Sequence, residues 1–384
     1  MSELGHRGQV LGNSVLTCPH DQHRRQRRLT QPAFHPAHRA AQAAVMTEQI
    51  AAVTASWRDG GVIDVPAEME KITARVLLAT MFSASLSPQV MARLSSDLTV
   101  VLAGIFRRMF LPAALDRLPT VANRRYHRAS SRLRHTVTAA VTDRLTAPGQ
   151  DNGDGTDLLS LLLGAGDATG DAPEVSDTEL ADQAVTFFVA GVETTATTLA
   201  WALHLLSRNA DVEQRLHAEV DAVLAGQPAT YDGLPTLPLT GHIVRETLRL
   251  YPPLPLSTRI TTHDTRLGDH VIPVGTTIAY SPYLIHHRAD TYPDPERFHP
   301  GRWTGAALDG ALPRDAFFSF GGGARKCIGD QFGLTEATLA LATITACWEL
   351  RPAAGTDSRP QLSSALRPKR LLMHTTDRTR RASP

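Results

Sequence analysis

The feature that most limits how this chain can fold is a helical signal running from Ser176 to about Arg208. Ser176, followed three residues later by Glu179, has the form of a capping box, in which two side chains satisfy free N–H groups at a helix start. Roughly thirty residues at about 1.5 Å each make a rod of about 45 Å. Such a rod crosses a whole domain. The composition supports helix as the main element: Ala and Leu are abundant, aromatics are 5%, and 42% of residues are hydrophobic against 20% charged.

The remaining pattern is mostly helix with a little strand. Residues 20–58 read as helical, with a basic cluster near their start. Residues 63–145 carry several more helical patterns, broken near Pro88, Pro112 and Pro119. Residues 148–176, rich in Gly, Asp and Pro around the apolar run LLSLLL, read as a surface connection inside one domain. The DNGDGTD stretch there lacks the ligand spacing and terminal Glu of a calcium loop. A second helix follows over Asp211–Leu224. A third, Leu239–Leu250, stops before Pro252-Pro253, since a residue preceding proline resists helix. Residues 256–280 alternate like short strands, 290–316 are Pro-rich and irregular, and a glycine-rich loop opens a last helix over Asp330–Leu350.

Several function classes drop out. A net charge of +1 gives no sign of a nucleic-acid binder. Three cysteines, Cys18, Cys327 and Cys347, are too few and too scattered for a disulfide framework, and no pair has CxxC spacing for structural zinc. No run approaches a membrane span, no anchor is expected within the given chain, and the first twenty residues lack the apolar stretch of a signal peptide. The expected address is the cytoplasm. His286 and His287 have no ligand-spaced partners and read as structural; Cys347, late in the last helix, reads as core.

The segment Phe320–Gly329, FGGGARKCIG, sets a cysteine just before a helix. A helix N-terminus offers free N–H groups and partial positive charge, which stabilise thiolate. The glycines let backbone approach a flat ligand, and Arg325 adds charge for an anionic ligand edge. That is what a thiolate–iron bond needs. A lone cysteine before a helix is usually an inert turn residue, but here the spacing F-x-x-G-x-R-x-C-x-G is complete. The loop resembles the haem-binding loop of the cytochrome P-450 family. The resemblance implies Cys327 as axial ligand of haem iron, with Phe320, Gly323, Arg325 and Gly329 around haem b. Gly333 stands where many members carry Ala.

Three further motifs follow the family's order. Ala190-Gly191-Val192-Glu193-Thr194-Thr195 resembles the oxygen-binding helix. Ala190, Gly191 and Thr194 read as sharing one face at spacings of three and four, with Thr194 able to bond a carbonyl one turn back. The resemblance implies Ala190 and Gly191 beside haem and O2, and Thr194 and Glu193 as an alcohol–acid pair delivering protons. Glu246-Thr-Leu-Arg249 resembles the family's E-x-x-R pair, which implies a structural network with Arg302 holding the cysteine loop. His23, Arg27, Arg259 and Arg325 match positions that bind haem propionates. Arg24, Arg25, Arg28 and Lys326 would then lie on the cysteine side, either as a solvated basic face or as the dock for an acidic electron donor such as a ferredoxin.

The resemblance runs from about Leu11 to Met373 and implies one mainly α domain, residues 1–384, with small β-sheets around a buried haem. In the family several dozen residues precede the helix that holds His23, so the domain reads as short at its N-terminus. The implied activity is a haem-thiolate monooxygenase that uses O2 as co-substrate on a small apolar molecule. By analogy only, that molecule is a terpenoid or another secondary metabolite of an actinomycete-like bacterium. Electrons would come from a ferredoxin or flavoprotein to a monomer. Two alternatives stand beside it: a haem-binding protein without turnover, and a peroxide-driven oxygenase. Phe106, Val189 and Leu256 are candidates for shaping the substrate pocket.

Overall fold

A computed structural model describes residues 10–82, 87–110, 115, 118–146, 157–167, 176–305 and 316–379. Its helices are α1 (His20–Thr30), α2 (Arg39–Thr54), α3 (Val65–Phe82), α4 (Pro88–Phe110), α5 (Val121–Thr146), α6 (Leu158–Asp167), α7 (Asp177–Arg208), α8 (Ala210–Leu224), α9 (Pro238–Leu250), α10 (Pro282–His286) and α11 (Asp330–Cys347). The strands are β1 (Val62–Asp64), β2 (Ser257–Ile260), β3 (Thr265–Leu267), β4 (His270–Ile272), β5 (Thr277–Tyr280), β6 (Trp348–Pro352), β7 (Asp357–Leu362), β8 (Leu366–Arg370) and β9 (Leu372–Asp377). The fold is mainly α, as the sequence pattern implies. All sheets are small and antiparallel: β1-β9-β6, and the pairs β2-β5, β3-β4 and β7-β8.

The rod α7 organises the packing. Its capping box is present, with Ser176 Oγ accepting from the Glu179 N–H and the Glu179 carboxylate accepting from the Ser176 N–H. The N-terminal half, from Leu180 to Val192, packs into one apolar cluster with α3, α4, α5 and α6. The C-terminal half, from Ala196 to Leu206, packs into a second with α2, α8, α9 and α11. A helix apolar all round belongs inside a core, and this one joins two cores. Trp201 is fully buried, stacks on Tyr251 with ring centres 3.9 Å apart, and donates to the Leu366 carbonyl.

Several expected boundaries move. Residues 20–58 form two helices, because Pro32 and Pro36 open 3-10 turns between α1 and α2; proline suits a helix start and breaks an interior. Within the stretch read as a surface connection, the run LLSLLL forms α6 with Leu158, Leu159 and Leu162 buried, so it belongs to the core. Residues 148–156 and 168–175 of that stretch lie outside the described residues. The last helix ends at Cys347, three residues early, because buried Trp348 and Leu350 alternate with half-buried Glu349 and Arg351 and pair with β9. One helix among the described residues, Gln89–Arg108, is long and apolar enough to cross a membrane, contrary to the sequence reading. Arg93 and Asp97 interrupt its apolar run in sequence; in the fold Arg132 is bonded to Asp97, while Leu94, Leu98 and Val101 face the core.

Candidate active site

Along the middle of α7 burial is interrupted. Ala190 is exposed and Thr194 half-exposed in a helix whose flanking turns are buried, so this strip faces open space inside the fold. Thr194 Oγ1 donates to the Ala190 carbonyl, 2.9 Å away, the local back-bond that loosens a helix. Gly191, half-exposed and three residues before Thr194, lies at the edge of that strip towards α3. A β-carbon on it would lie 3.1 Å from Leu77 Cδ2. Its missing side chain lets α3 approach α7. Nearby, Thr73 Oγ1 of α3 donates to the Val192 carbonyl at 3.0 Å.

Glu193 also points elsewhere. It is buried, and its Oε1 accepts from Ser364 Oγ at 2.5 Å, in the turn between β7 and β8. Burial raises its carboxyl above the usual range, against the pull of Ser364 and Arg367. Thr194 and Glu193 are therefore neighbours in sequence whose hydrogen bonds go to different partners.

The cysteine loop turns back on itself. The N–H groups of Gly321, Lys326 and Cys327 donate to the carbonyls of Phe318, Gly323 and Phe320. Gly321 and Gly323 take φ of 69° and 67°, where a β-carbon would be strained. Cys327 is open to solvent although protein atoms crowd around it. Burial raises its thiol; the Gly329 N–H and the charges of Arg27 and Lys326 oppose the rise, and Asp330 adds to it. The helix that follows, α11, meets α7: Gly333 lies opposite Thr195, where a β-carbon would sit 3.6 Å from Thr195 Oγ1.

Behind this loop Glu246 and Arg249 form a fully buried bidentate pair, both bonds 2.9 Å. Arg302 Nε reaches Glu246 Oε1 at 3.5 Å. Two donors that sequence reading missed complete the carboxylate: the Trp303 indole N–H at 2.9 Å and the His299 backbone N–H at 3.0 Å. Arg249 continues to the carbonyls of His286, Pro295 and Arg297. His286 carries the network to the cysteine loop. Its Nδ1 lies 3.1 Å from the Arg249 carbonyl, and its Nε2 accepts from the Phe318 N–H at 2.8 Å. A single neutral tautomer, protonated on Nδ1, satisfies both bonds, and burial lowers its pKa to about 4. His287 is bonded within its own turn to the Tyr283 carbonyl.

The basic residues divide. His23 is buried, with its pKa lowered to about 4 by desolvation and by Arg325, Arg27 and His20. Arg27 and Arg325 gather at the cysteine loop but donate to backbone: Arg27 to the Lys326 carbonyl, Arg325 to those of Val15 and Cys18. Arg259 is exposed on β2, over the Tyr280 ring. Of the expected basic face, Arg24 and Arg28 are exposed. Arg25 is instead bonded to both oxygens of Glu179, and Lys326 pairs with Asp330 at 2.6 Å. Val189 is buried in the core and Leu256 is exposed; Phe106 is half-buried.

An open sulfur, a loop turned by two glycines at positive φ, an exposed Ala190 inside a buried helix and nearby arginines fit a flat anionic group held by thiolate. No group of three or more His, Cys, Asp or Glu among the described residues could hold a bare metal ion instead.

Comparison with known proteins agrees. A family profile described as "Cytochrome P450" matches residues 3–376. The chain is 43% identical over 371 residues to a pentalenene oxygenase of Streptomyces avermitilis, covering 96% of this chain and 81% of the relative. It is 42% identical to a cyclooctat-9-en-7-ol 5-monooxygenase of Streptomyces melanosporofaciens, covering 91% and 75%. Among solved structures, the haem domain of a cytochrome P450DA superposes with a TM-score of 0.87 at 25% identity, over 97% of this chain and 82% of that one.

Proposed function

Since the chain belongs to the cytochrome P450 family, with haem b as cofactor and O2 as co-substrate, we propose that this monooxygenase inserts one oxygen atom into a terpenoid-type hydrocarbon, with Cys327 as the haem ligand. The observation that carries the substrate class is the shared identity of over 40% with oxygenases whose names give such substrates. The ligand assignment rests on the solvent-open sulfur in a loop pinned by His286 and the Glu246–Arg249 pair.

When bound, the haem supplies reductive activation of O2, with thiolate electron density favouring O–O cleavage. The protein supplies position and protons. The loop from Phe320 to Gly329 holds the sulfur in place. Thr194 Oγ1, bonded to a carbonyl of its own helix, can release that bond to hold a proton donor at the open strip beside Ala190. Glu193, whose carboxyl burial pushes above the usual range, is the acid behind it. Exposed Arg24 and Arg28 on α1 offer a dock for an acidic ferredoxin. The chain would work as a cytoplasmic monomer.

The test is spectroscopic first. The haem-loaded chain, reduced and exposed to CO, is expected to show the strongly red-shifted Soret band of thiolate ligation, and Cys327→Ser to lose it. Incubation with pentalenene and a reducing system should then give a product one oxygen heavier. A wild-type band at the ordinary wavelength would refute the ligand assignment. Oxygenation of other apolar molecules but no terpene would refute the substrate class.

A further inference from the structure

A second acid stands beside Glu193. Glu70, on α3, lines with Glu193, Ser363, Ser364 and Arg367 a cavity of about 30 Å3. That is more than the roughly 10–15 Å3 a water needs, and the lining is polar enough to hold one. The remaining wall is mostly apolar, from Leu98, Leu102 and Ala103 of α4 and Val192 of α7, with Thr99 beside them. Arg367 Nη1 is 3.9 Å from Glu70 Oε1. Ser364, three residues earlier, holds Glu193 Oε1. The charged groups facing Glu70 are Arg367, Glu193 and Asp64; those facing Glu193 are Arg367 and, across the cavity, Glu70.

The charge count decides the chemistry. Two carboxyls share one guanidinium in a partly desolvated space. Two carboxylates so placed cannot both ionise cheaply, so ionising one makes it harder to ionise the other. Burial raises both carboxyls and their mutual repulsion raises Glu70 further, against the pull of Arg367. The side chain of Glu70 is 22% exposed, whereas Glu193 is 7% exposed. Glu70 is therefore the member that can recover a proton from solvent.

We propose that Glu70, Glu193 and Arg367 form a proton-holding pair of carboxyls around one guanidinium, and that Glu70 supplies protons to Glu193. The proton leaves the Glu70 carboxyl for a water in the cavity, that water passes a proton to the Glu193 carboxylate, and Glu70 is reprotonated from bulk solvent. No electrons move. Glu70 acts through Glu193, so its role is positioning and supply. The inference rests on the reading of Glu193 as the acid behind Thr194.

The experiment uses the full haem-loaded chain as wild type, Glu70→Gln, Glu70→Asp and Glu193→Gln, each checked for an unchanged CO spectrum. The first readout is the infrared band of neutral carboxyl groups against pH. Glu336, fully buried on α11 and itself raised by burial, contributes a constant band that difference spectra remove. In Glu70→Gln the remaining Glu193 band should vanish at lower pH than the wild-type pair, and in Glu193→Gln the Glu70 band should do the same. The second readout is reductant-driven O2 consumption in H2O and D2O. Glu70→Gln should slow it severalfold with a larger isotope effect, and Glu70→Asp should recover most of the rate. Unchanged titration in both single Gln variants would show that the carboxyls share no proton and overturn the proposal. A slowed Glu193→Gln beside a wild-type Glu70→Gln would overturn the supply role alone. A wild-type rate in Glu193→Gln would refute the reading of Glu193 itself, and the supply role with it.

Discussion

His286 is the link whose removal should show most clearly how the buried network holds the cysteine loop. Replacing it by Phe keeps a ring that can stack on Phe317, whose centre is 5.6 Å away. It removes both hydrogen bonds, leaving the Phe318 N–H and the Arg249 carbonyl without their partner. Each stranded group costs about 1–3 kcal/mol, so the variant should lose about 4 kcal/mol, a large share of the ~5–15 kcal/mol typical of a domain. Acid adds a second signature. His286 titrates near 6.5 when unfolded and at about 4 when folded. The unfolded chain therefore takes up the proton first, and stability falls as pH drops from 6.5 towards 4, by about 3 kcal/mol for this group. His23 pulls in the same direction, so the informative quantity is the difference between variant and wild type. Urea unfolding of the haem-free chain at pH 7 and pH 5 measures both effects. His286→Phe should be markedly less stable at pH 7 and less sensitive to acid than wild type. A variant within about 1 kcal/mol of wild type at pH 7, with the wild-type acid sensitivity, would refute the reasoning.

Trp303→Phe removes the indole donor from Glu246 while keeping most of the ring volume; a bond to a buried charge is worth about 1.5–3 kcal/mol, and a matching fall in urea stability is expected. Gly333→Ala places a β-carbon at ordinary contact distance from Thr195 and removes a helical glycine, so stability should rise by about 0.5–1 kcal/mol; a lower unfolding midpoint would mean that the space between α7 and α11 is needed. In Thr194→Ala, reductant and O2 should still be consumed while oxygenated product falls and hydrogen peroxide rises; undiminished product would remove Thr194 from proton delivery.

What the sequence made legible was local. The capping box of α7, the helix that Pro252 ends and the turn glycines of the cysteine loop each depend on residues a few positions apart, and each stands where the pattern put it. The E-x-x-R pair was visible for the same reason. The resemblance added Arg302, but two further partners were not visible: Trp303 and His299 lie more than fifty residues from Glu246, and nothing in a lone tryptophan announces a buried carboxylate. His286 looked like half of a metal pair that lacked partners, because its partners are a carbonyl and a backbone N–H, which leave no mark on side-chain spacing. The resemblance pairs Glu193 with Thr194, yet on a helix adjacency separates side chains by about 100°. What Glu193 meets is decided by β8 and α3, which approach α7 from outside its own sequence neighbourhood. That same rotation puts the acid on the side where Glu70 and Arg367 can reach it, and leaves Thr194 on the open strip. If protons pass between the two faces, Glu193 must change partners to carry them, and the Ser364 hydrogen bond is the contact it would have to break.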